Sequence, residues 1–378
     1  MKLNQLRTKY PKFFYKGYSY KLQRGDLHIS FDFRVPALST SSERSRTGVE
    51  GSPDVRFQPK VIIQNIGRST LPRVRKNILD NLVFHLGMME LPSYWKATCS
   101  PQIIVEAAPP TGKLNTAQIA WWKNLFIQGL GEFFYQNNID FTPKNFLTIK
   151  SLGEGAPASA PSAKPTAFPN FASVGRSVST LIPVGGGKDS AVTLELLKNT
   201  KIQPFILNPK PPQLAIIKKA NAKTPIIALR TIDPKLLELN RKGFLNGHTP
   251  FSAYLAFLTT LTATLFDFKY IAVSNERSSN EGNMKYRGRI INHQYSKSFD
   301  FEKRFRSYSK TYLVPGLEYF SFLRPLSELQ IAKIFGKFPK YFSAFLAGIT
   351  SGTSKPRNSP ILCAISSVHI SEVTKPVL

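Results

Sequence analysis

The sequence has little cysteine and no long apolar run, and each absence excludes a class of protein. Its 378 residues include two cysteines, Cys99 and Cys363, which are too few for a disulfide framework or a four-cysteine zinc site. This usage fits a reducing compartment. The longest uncharged apolar stretch, residues 251–266, has 16 residues, whereas a membrane-spanning helix needs roughly 20. We therefore expect a buried core helix there and no membrane span.

Acidic residues are also scarce. Lys and Arg number 51 against 23 Asp and Glu, which gives a net charge of +28. Such a surface attracts polyanions, with nucleic acid as the default partner and anionic nucleotides or lipid head groups as alternatives. The basic residues are spread along the chain, whereas acidic and amide side chains cluster at residues 275–281. The composition indicates an anionic ligand, and the cluster indicates a site.

The sequence also shows no secretory signal peptide and no composition typical of a disordered chain. The first 20 residues are basic but lack the apolar segment of a secretory signal peptide, so we expect none. Hydrophobic residues make up 42% and aromatic residues 12%, which is enough for a sizeable core and excludes disorder over the whole chain.

The pattern along the chain predicts two domains joined by a linker. Residues 1–152 read as an α+β unit with a polar insert at 36–53. Its predicted strands are 18–22, 27–33 and 61–66, and its predicted helices are 75–86 and 116–137. Residues 153–178 are dominated by Ala, Pro, Ser and Gly, and we interpret them as a linker.

Residues 179–346 follow a different pattern, in which strands alternate with helices. The predicted strands are 180–184, 203–207, 226–229 and 270–274, and the predicted helices are 190–198, 214–220 and 250–266. This alternation is typical of a parallel sheet with helices on its faces. The sequence therefore predicts an α/β domain here, preceded by the smaller α+β unit.

The most informative segment is residues 181–198, LIPVGGGKDSAVTLELLK, where an apolar strand passes through three glycines into a helix. Without Cβ atoms the backbone can turn sharply and bring its N–H groups close to an anion. Ser190 is expected to cap the new helix, whose N-terminus adds a partial positive charge, while Lys188 adds a full one. These features predict a pyrophosphate cradle; the alternative is a glycine turn with no ligand.

Three further segments contain candidate site residues. His248 precedes the long predicted helix, either as a capping or packing residue or as a catalyst. Residues 273–283, VSNERSSNEGN, lie at the end of a predicted strand and combine carboxylates with amides. Such side chains could hold Mg²⁺ through phosphates or recognise a sugar. The alternative is a solvated polar turn. His293, Tyr295 and Lys297 would share one face if this stretch is extended, as part of a site or of a polar edge strand.

The glycine turn is neither a Walker A loop nor a dinucleotide-binding fingerprint. It resembles the S-G-G-x-D-S loop of ATP pyrophosphatases (the PP-loop superfamily), with Gly185 in place of the serine. Together with FLNGHTPFSA, VSNERSSNEGN, NHQYSKSFDFE and LRPLSELQIA, the segment VGGGKDS resembles the UDP-N-acetylmuramoyl-L-alanyl-L-glutamate epimerase family over residues 180–335. The tail at 347–378 departs from that family, since it lacks closely spaced cysteines and looks unpatterned.

The resemblance implies a fold and an activity. The fold is an α/β PP-loop domain (adenine nucleotide alpha hydrolase-like). The activity is that of a cytoplasmic bacterial isomerase of peptidoglycan precursor synthesis. With ATP and Mg²⁺ it would invert the terminal L-glutamate of UDP-MurNAc-L-Ala-L-Glu through an acyl-adenylate and release AMP and pyrophosphate. Two alternatives remain: a tRNA-modifying PP-loop enzyme, supported by the charge, and a non-catalytic nucleotide- or polyanion-binding protein.

The resulting residue assignments form four groups. Cofactor binding falls to Gly185, Gly186, Gly187, Lys188, Asp189 and Ser190. The catalytic candidates are His248, Glu276, His293, Tyr295 and Lys297. The substrate-binding candidates are Asn275, Arg277, Asn280, Glu281 and Asn283. The Mg²⁺ candidates are Asp189 and Glu276.

Overall fold

The structure is a computed structural model that describes residues 2–38, 54–67, 74–152, 177–282 and 284–344. Its strands are β1 (Lys12–Gln23), β2 (Asp26–Val35), β3 (Val55–Phe57), β4 (Lys60–Ile63), β5 (Gln102–Val105), β6 (Thr148–Ser151), β7 (Ser177–Pro183), β8 (Ile202–Leu207), β9 (Ile226–Thr231), β10 (Phe268–Val273), β11 (Met284–Tyr286), β12 (Arg289–Ile291) and β13 (Glu318–Ser321). Its helices are α1 (Leu3–Lys9), α2 (Lys76–Trp95), α3 (Thr116–Gly129), α4 (Gly131–Gln136), α5 (Lys188–Leu197), α6 (Pro211–Lys219), α7 (Pro234–Arg241), α8 (Phe251–Leu265), α9 (Phe299–Tyr308) and α10 (Glu328–Gly336).

One sheet of eleven strands runs through the described part of the chain. Its order is β13-β10-β7-β8-β9-β4-β2-β1-β5-β6, and β3 pairs with β2. The strands from β13 to β9 are mutually parallel, as are β1, β5 and β6. Antiparallel pairing of β4 with β2 and β9, and of β2 with β1, joins the two parallel blocks. The predicted α/β class with a parallel sheet is confirmed.

Helices cover both faces of the second parallel block, as a doubly wound sheet requires. On one face, buried side chains of α5, α6 and α10 form a core with Ile182 and Ile206 of the sheet. On the other face, α2 and α8 contribute to the larger core, which also includes residues of β1 and β2. Gly87 in α2 permits this packing, because a Cβ there would lie 2.0 Å from Tyr15 Oη.

A buried ion pair crosses between the two halves of the chain. Arg230, at the carboxyl end of β9, places Nη2 2.7 Å from Glu90 Oε1 of α2 and Nε 2.9 Å from Oε2. Glu90 has no exposed surface, and the guanidinium of Arg230 lies over the Tyr254 ring, 4.4 Å from its centroid. The division into units at 1–152 and 179–346 stays a prediction, but both halves contribute to one sheet and share this pair.

The predicted strands and helices are confirmed, with shifts at their ends. The predicted helix 75–86 continues to Trp95 through Pro92. The predicted helix 116–137 is interrupted at Leu130, between two glycines that allow close packing: a Cβ on Gly129 would lie 3.0 Å from Pro250, and one on Gly131 2.8 Å from Ile291. The sequence patterns did not predict α1, β3, β5, β6, α7, α9, α10, β13 or the β11–β12 hairpin.

The predicted core helix at 251–266 is α8, with eleven buried residues. Among the helices that the structure describes, none combines the length and the apolar character needed to cross a bilayer. Most of the predicted insert at 36–53, most of the linker at 153–178 and the tail at 347–378 lie outside the described residues.

His85 ties α2 to α3 and α9 through a buried network. Its Nδ1 lies 2.8 Å from the carbonyl oxygen of Asn81, and its Nε2 lies 2.9 Å from Tyr308 Oη. Because a carbonyl only accepts, Nδ1 carries the proton and Nε2 accepts from the Tyr308 hydroxyl. That hydroxyl accepts in turn from Trp122 Nε1 at 3.0 Å and Gln118 Nε2 at 3.3 Å. Burial lowers the pKa of His85 to about 4, so the ring is neutral.

We expect His85→Gln to reduce the acid dependence of stability. The unfolded histidine, with a pKa near 6.5, binds its proton more tightly than the folded one, with a pKa of about 4. This contribution to the unfolding free energy is intact above pH 6.5 and is lost, by up to about 3 kcal/mol, as the pH falls towards 4. Urea unfolding across this range should show a steeper loss for the wild type, and parallel curves would contradict a neutral buried ring.

Candidate functional site

The candidate site lies at the carboxyl edge of the second parallel block. From β7 the chain proceeds to β8 and β9 on one side, and it later returns to β10 on the other side. The strand order therefore reverses between β7 and β10, and ligands of open α/β sheets bind outside the carboxyl ends at such a point. The predicted phosphate loop follows β7, and the segment 274–282 follows β10. The structure thus brings two of the predicted segments together.

Of the three glycines after β7, Gly186 has the strictest requirement. Its φ is +88°, and a Cβ there would lie 3.0 Å from Gln213 Cγ and 3.4 Å from Gln213 N. Gln213 also donates from Nε2 to the carbonyl of Val184 at 3.2 Å. By contrast, a Cβ on Gly185 or Gly187 would meet no heavy atom within 4 Å. The turn therefore needs glycine at one position and leaves open space at the other two.

Ser190 does not cap the helix, so that prediction is wrong. Helix α5 already begins at Lys188, with Gly187 as its N-cap residue. Ser190 lies within the first turn, and its hydroxyl donates to the carbonyl of Gly187 at 2.9 Å. The helix starts earlier than predicted because the glycine supplies the extended N-cap conformation itself, and the first N–H groups keep no side-chain cap.

Lys188 is surrounded by carboxylates. Its Nζ lies 2.8 Å from Asp189 Oδ1 and 3.4 Å from Glu328 Oε1 of α10. Burial acts to lower the pKa of Lys188, but the charges of Asp189, Glu328 and Glu276 outweigh it and raise that pKa. The lysine is therefore a fixed positive charge. Glu328 was not among the predicted site residues.

Glu276 presents a carboxylate oxygen with no hydrogen bond in the described residues. Oε1 accepts from Ser278 Oγ at 2.7 Å, whereas Oε2 is buried without a hydrogen-bond partner. A buried carboxylate oxygen without a partner is costly unless a cation or a donor reaches it. The carboxylates of Asp189 and Glu276 both act on Lys188, so the two lie in one neighbourhood. Carboxylate oxygens are ligands that Mg²⁺ prefers, so this donor set fits the cation.

The described residues contain no group of three or more His, Cys, Asp or Glu side chains that could hold a metal ion by themselves. Mg²⁺ is usually bound by one or two carboxylates together with substrate phosphates. The pair Asp189 and Glu276 has that composition, and the assignment of the metal to them stays a prediction.

Arg324, three residues after the end of β13, joins the loops of the site and was not among the predicted site residues. It donates to the backbone carbonyls of Glu276 at 2.7 Å and Lys297 at 2.5 Å. It also donates to Ser279 Oγ at 2.9 Å and Glu302 Oε2 at 3.2 Å. The arginine thus holds the segment after β10 against the segment around 297. Its position just after a short apolar strand, in the motif LRPLSELQIA, is the signal that could have found it.

The predicted substrate-binding residues fall into two groups. Two amides act within the protein: Asn275 Nδ2 donates to Ser321 Oγ at 3.1 Å, and Asn280 Oδ1 accepts from the backbone N–H of Phe299 at 2.6 Å. Arg277 and Glu281 are exposed. Asn283 lies outside the described residues. Substrate binding by any of them stays a prediction.

The segment around His293 is not extended, and that expectation is wrong. Residues Tyr295–Lys297 form a turn of 3-10 helix, so alternate side chains do not share a face. Tyr295 is buried, and its hydroxyl donates to Asp300 Oδ2 at 2.8 Å. Burial, followed by this contact, raises the pKa of Tyr295, so the phenol is held protonated.

His248, His293 and Lys297 lie near one another. Burial lowers the pKa of His248; Glu132 opposes this, and the charges of His293, Lys96 and Lys297 lower it further. Glu132 Oε2 is 3.5 Å from His248 Nδ1. The segment of Lys297 is joined to the segment after β10, since the carbonyl of Lys297 and that of Glu276 accept from the same arginine, Arg324. The candidate site therefore places the histidine and lysine side chains predicted to be catalytic near one another, and their role stays a prediction.

The chain matches a known protein family and several known proteins. The family model of the MurL N-terminal domain matches residues 5–322. The chain belongs to this family. The family resemblance derived from the sequence motifs is thereby confirmed.

Three relatives carry the name UDP-N-acetyl-alpha-D-muramoyl-L-alanyl-L-glutamate epimerase. That of Xanthomonas oryzae pv. oryzae is 32% identical over 255 residues, covering 67% of this chain and 52% of the relative. That of Micromonospora sp. is 33% identical over 252 residues, covering 66% of this chain and 52% of the relative. That of Salinispora tropica is 30% identical over 343 residues, covering 89% of this chain and 67% of the relative. The chain spans about half the length of the first two relatives.

A solved structure was also found, a predicted subunit of a tRNA methyltransferase from Methanocaldococcus jannaschii. The TM-score is 0.25 and the identity 11%, and the match covers 43% of this chain and 76% of that one. A similarity this low supports no conclusion about the MurL domain.

We expect Gly186→Ala to weaken binding of Mg·ATP by about tenfold, because a side chain at positive φ costs about 1–2 kcal/mol and the Cβ would press on Gln213. The matched variant Gly185→Ser adds a side chain where space is open, so its affinity should stay within about threefold of the wild type. Isothermal titration calorimetry measures both affinities, and equal affinities for the two variants would refute this account of the turn.

Proposed function

We propose that this MurL N-terminal domain carries the ATP-dependent inversion of the terminal L-glutamate of UDP-MurNAc-L-Ala-L-Glu to D-glutamate. The observation that carries the proposal is the pairing, at the β7–β10 switch point, of a glycine cradle with the buried unpaired oxygen of Glu276. The names of the relatives support the substrate. The proposal includes a cytoplasmic location, which the family resemblance implies.

The chemistry explains why ATP is consumed in an energy-neutral inversion. A Cα proton beside a carboxylate is hard to remove, because the resulting carbanion would sit next to a negative charge. In the proposed reaction a carboxylate oxygen of glutamate attacks the α-phosphorus of ATP, and pyrophosphate leaves. The acyl-adenylate has lost the carboxylate charge, so a base can take the Cα proton and an acid can return one to the other face. Water then releases AMP and the inverted carboxylate.

Each part of the site has a role in this scheme. The loop from Gly185 to Ser190 would hold the phosphates with backbone N–H groups at the start of α5. Lys188 would neutralise the leaving pyrophosphate. Asp189 and Glu276 would hold Mg²⁺, which supplies charge neutralisation on the phosphates. Proton transfer at Cα falls to the cluster of His248, His293 and Lys297, which includes a histidine of lowered pKa that is neutral at pH 7.

The net charge of +28 favours one second candidate, adenylation of a tRNA base. An incubation of the protein with Mg·ATP and UDP-MurNAc-L-Ala-L-Glu separates the two candidate functions. AMP and D-glutamate formed in equal amounts support the epimerase. AMP without inversion would favour another adenylated substrate, and tight, salt-dependent tRNA binding would then support the second candidate. Nucleotide binding without AMP release would favour a non-catalytic protein.

We expect Asp189→Ala to lower AMP formation at least about a hundredfold. The loop would lose the carboxylate that contacts Lys188 and that we propose as a ligand of Mg²⁺. The measurement is an incubation with Mg·ATP and UDP-MurNAc-L-Ala-L-Glu, followed by quantification of AMP and of glutamate chirality after hydrolysis. Asp32→Ala is the matched control, since Asp32 pairs with Arg56 in the sheet of the N-terminal half. Unchanged AMP formation in Asp189→Ala would refute the role of the loop.

A further inference from the structure

The backbone on either side of His248 is held by the N-terminal half of the chain. Lys96, just beyond the end of α2, is 7% exposed. Its Nζ donates to the carbonyl of Gly247, on one side of His248, and to Thr249 Oγ1, on the other side, at 2.9 Å. One buried ammonium group therefore fixes both neighbours of the histidine, across 151 residues of sequence.

Helix α4 supports the same segment from a second side. Asn137, directly after α4, donates from Nδ2 to the carbonyl of Asn246 at 2.9 Å. Gly247 has φ +154°, and a Cβ there would lie 3.0 Å from Gln136 Oε1 and 3.2 Å from the Phe133 ring. The backbone before His248 thus packs directly on α4, at a position that disfavours any residue but glycine.

Glu132, also in α4, faces the histidine ring. Its Oε2 lies 3.5 Å from His248 Nδ1, and its Oε1 accepts from Gln136 Nε2 at 2.8 Å. The second contact fixes the carboxylate towards the ring. The other charged groups that act on His248 are Lys96, His293 and Lys297. The ring therefore has one negative neighbour and three basic ones, and burial keeps it neutral at pH 7.

We propose that Glu132 and Lys96 are positioning residues for His248, and that His248 is one of the two groups that move the Cα proton of glutamate. This inference rests on the proposed function. The Glu132 carboxylate, 3.5 Å from Nδ1, favours the ring proton on Nδ1. The lone pair of Nε2 then takes the proton from Cα, and the electron pair of the C–H bond enters the enolate of the adenylated carboxyl group. The second group returns a proton to the opposite face. Lys96 keeps the ring at the site by holding the backbone around it.

The first test measures the pKa of His248 by NMR, with the wild type and His248→Gln used to assign its signal. Glu132→Gln removes the negative neighbour without changing the shape of the side chain, so the pKa of His248 should fall by about 0.5 unit or more. Lys96→Met removes a positive neighbour and should raise it. Glu318→Gln, in a surface pair with Arg306, is the matched control and should leave it unchanged.

A second test separates positioning from overall folding. In the incubation with Mg·ATP and UDP-MurNAc-L-Ala-L-Glu, the amount of D-glutamate formed per AMP should fall at least about tenfold in Glu132→Gln, whereas Glu318→Gln should keep the wild-type ratio. Glu132→Asp, which keeps the charge, should recover part of the ratio. A purely structural role would lower both products together and leave their ratio unchanged.

The outcomes distinguish this inference from the proposed function. If the wild type forms neither AMP nor D-glutamate, the proposed function fails, and the titration still decides whether Glu132 acts on His248. An unchanged pKa of His248 in Glu132→Gln overturns the contact between the two residues. A shifted pKa with an unchanged ratio of D-glutamate to AMP overturns the role in inversion.

Discussion

The antiparallel pairing of β4 with β9 is the constraint on which the site depends. It joins two parallel blocks, one from each half of the chain, into a single sheet. In this register Val61 lies opposite Arg230, and the side chain of Arg230 binds Glu90 of α2. Removing one partner from such a buried pair costs about 3–5 kcal/mol, because the other charge is left unpaired. Pairing and ion pair together bring the end of α2 to the carboxyl edge of β9.

That placement explains why a residue as far from the α/β half as Lys96 reaches the site. The carboxyl ends of β7, β10 and β13 supply the phosphate loop, the Glu276 loop and Arg324, all from the second half of the chain. Helices α2 and α4 of the first half supply Lys96 and Glu132 at the His248 segment. The N-terminal half therefore supplies part of the candidate site as well as covering one face of the sheet.

The charge distribution differs between the whole chain and the site. A net charge of +28 draws anions towards the protein. At the phosphate loop, however, three carboxylates surround Lys188, and Arg324 uses its guanidinium on backbone carbonyls and on Glu302. In the proposed reaction the positive surface attracts the anionic nucleotide over a distance, and the local carboxylates bind the cation that accompanies it.

Local patterns in the sequence determined the glycine turn after β7, its place between a strand and a helix, and the alternation that specifies a parallel sheet. Each of these depends on residues a few positions apart. Local patterns do not predict the conformation where a distant contact decides it. The predicted helix is interrupted at Leu130, where Pro250 and Ile291 pack on the glycines beside it, and the turn at Tyr295 ends at Lys297, whose carbonyl accepts from Arg324. The contacts of Lys96 with Gly247, of Glu90 with Arg230 and of Arg324 with Glu276 were decided by the tertiary structure alone, because they join residues 151, 140 and 48 positions apart.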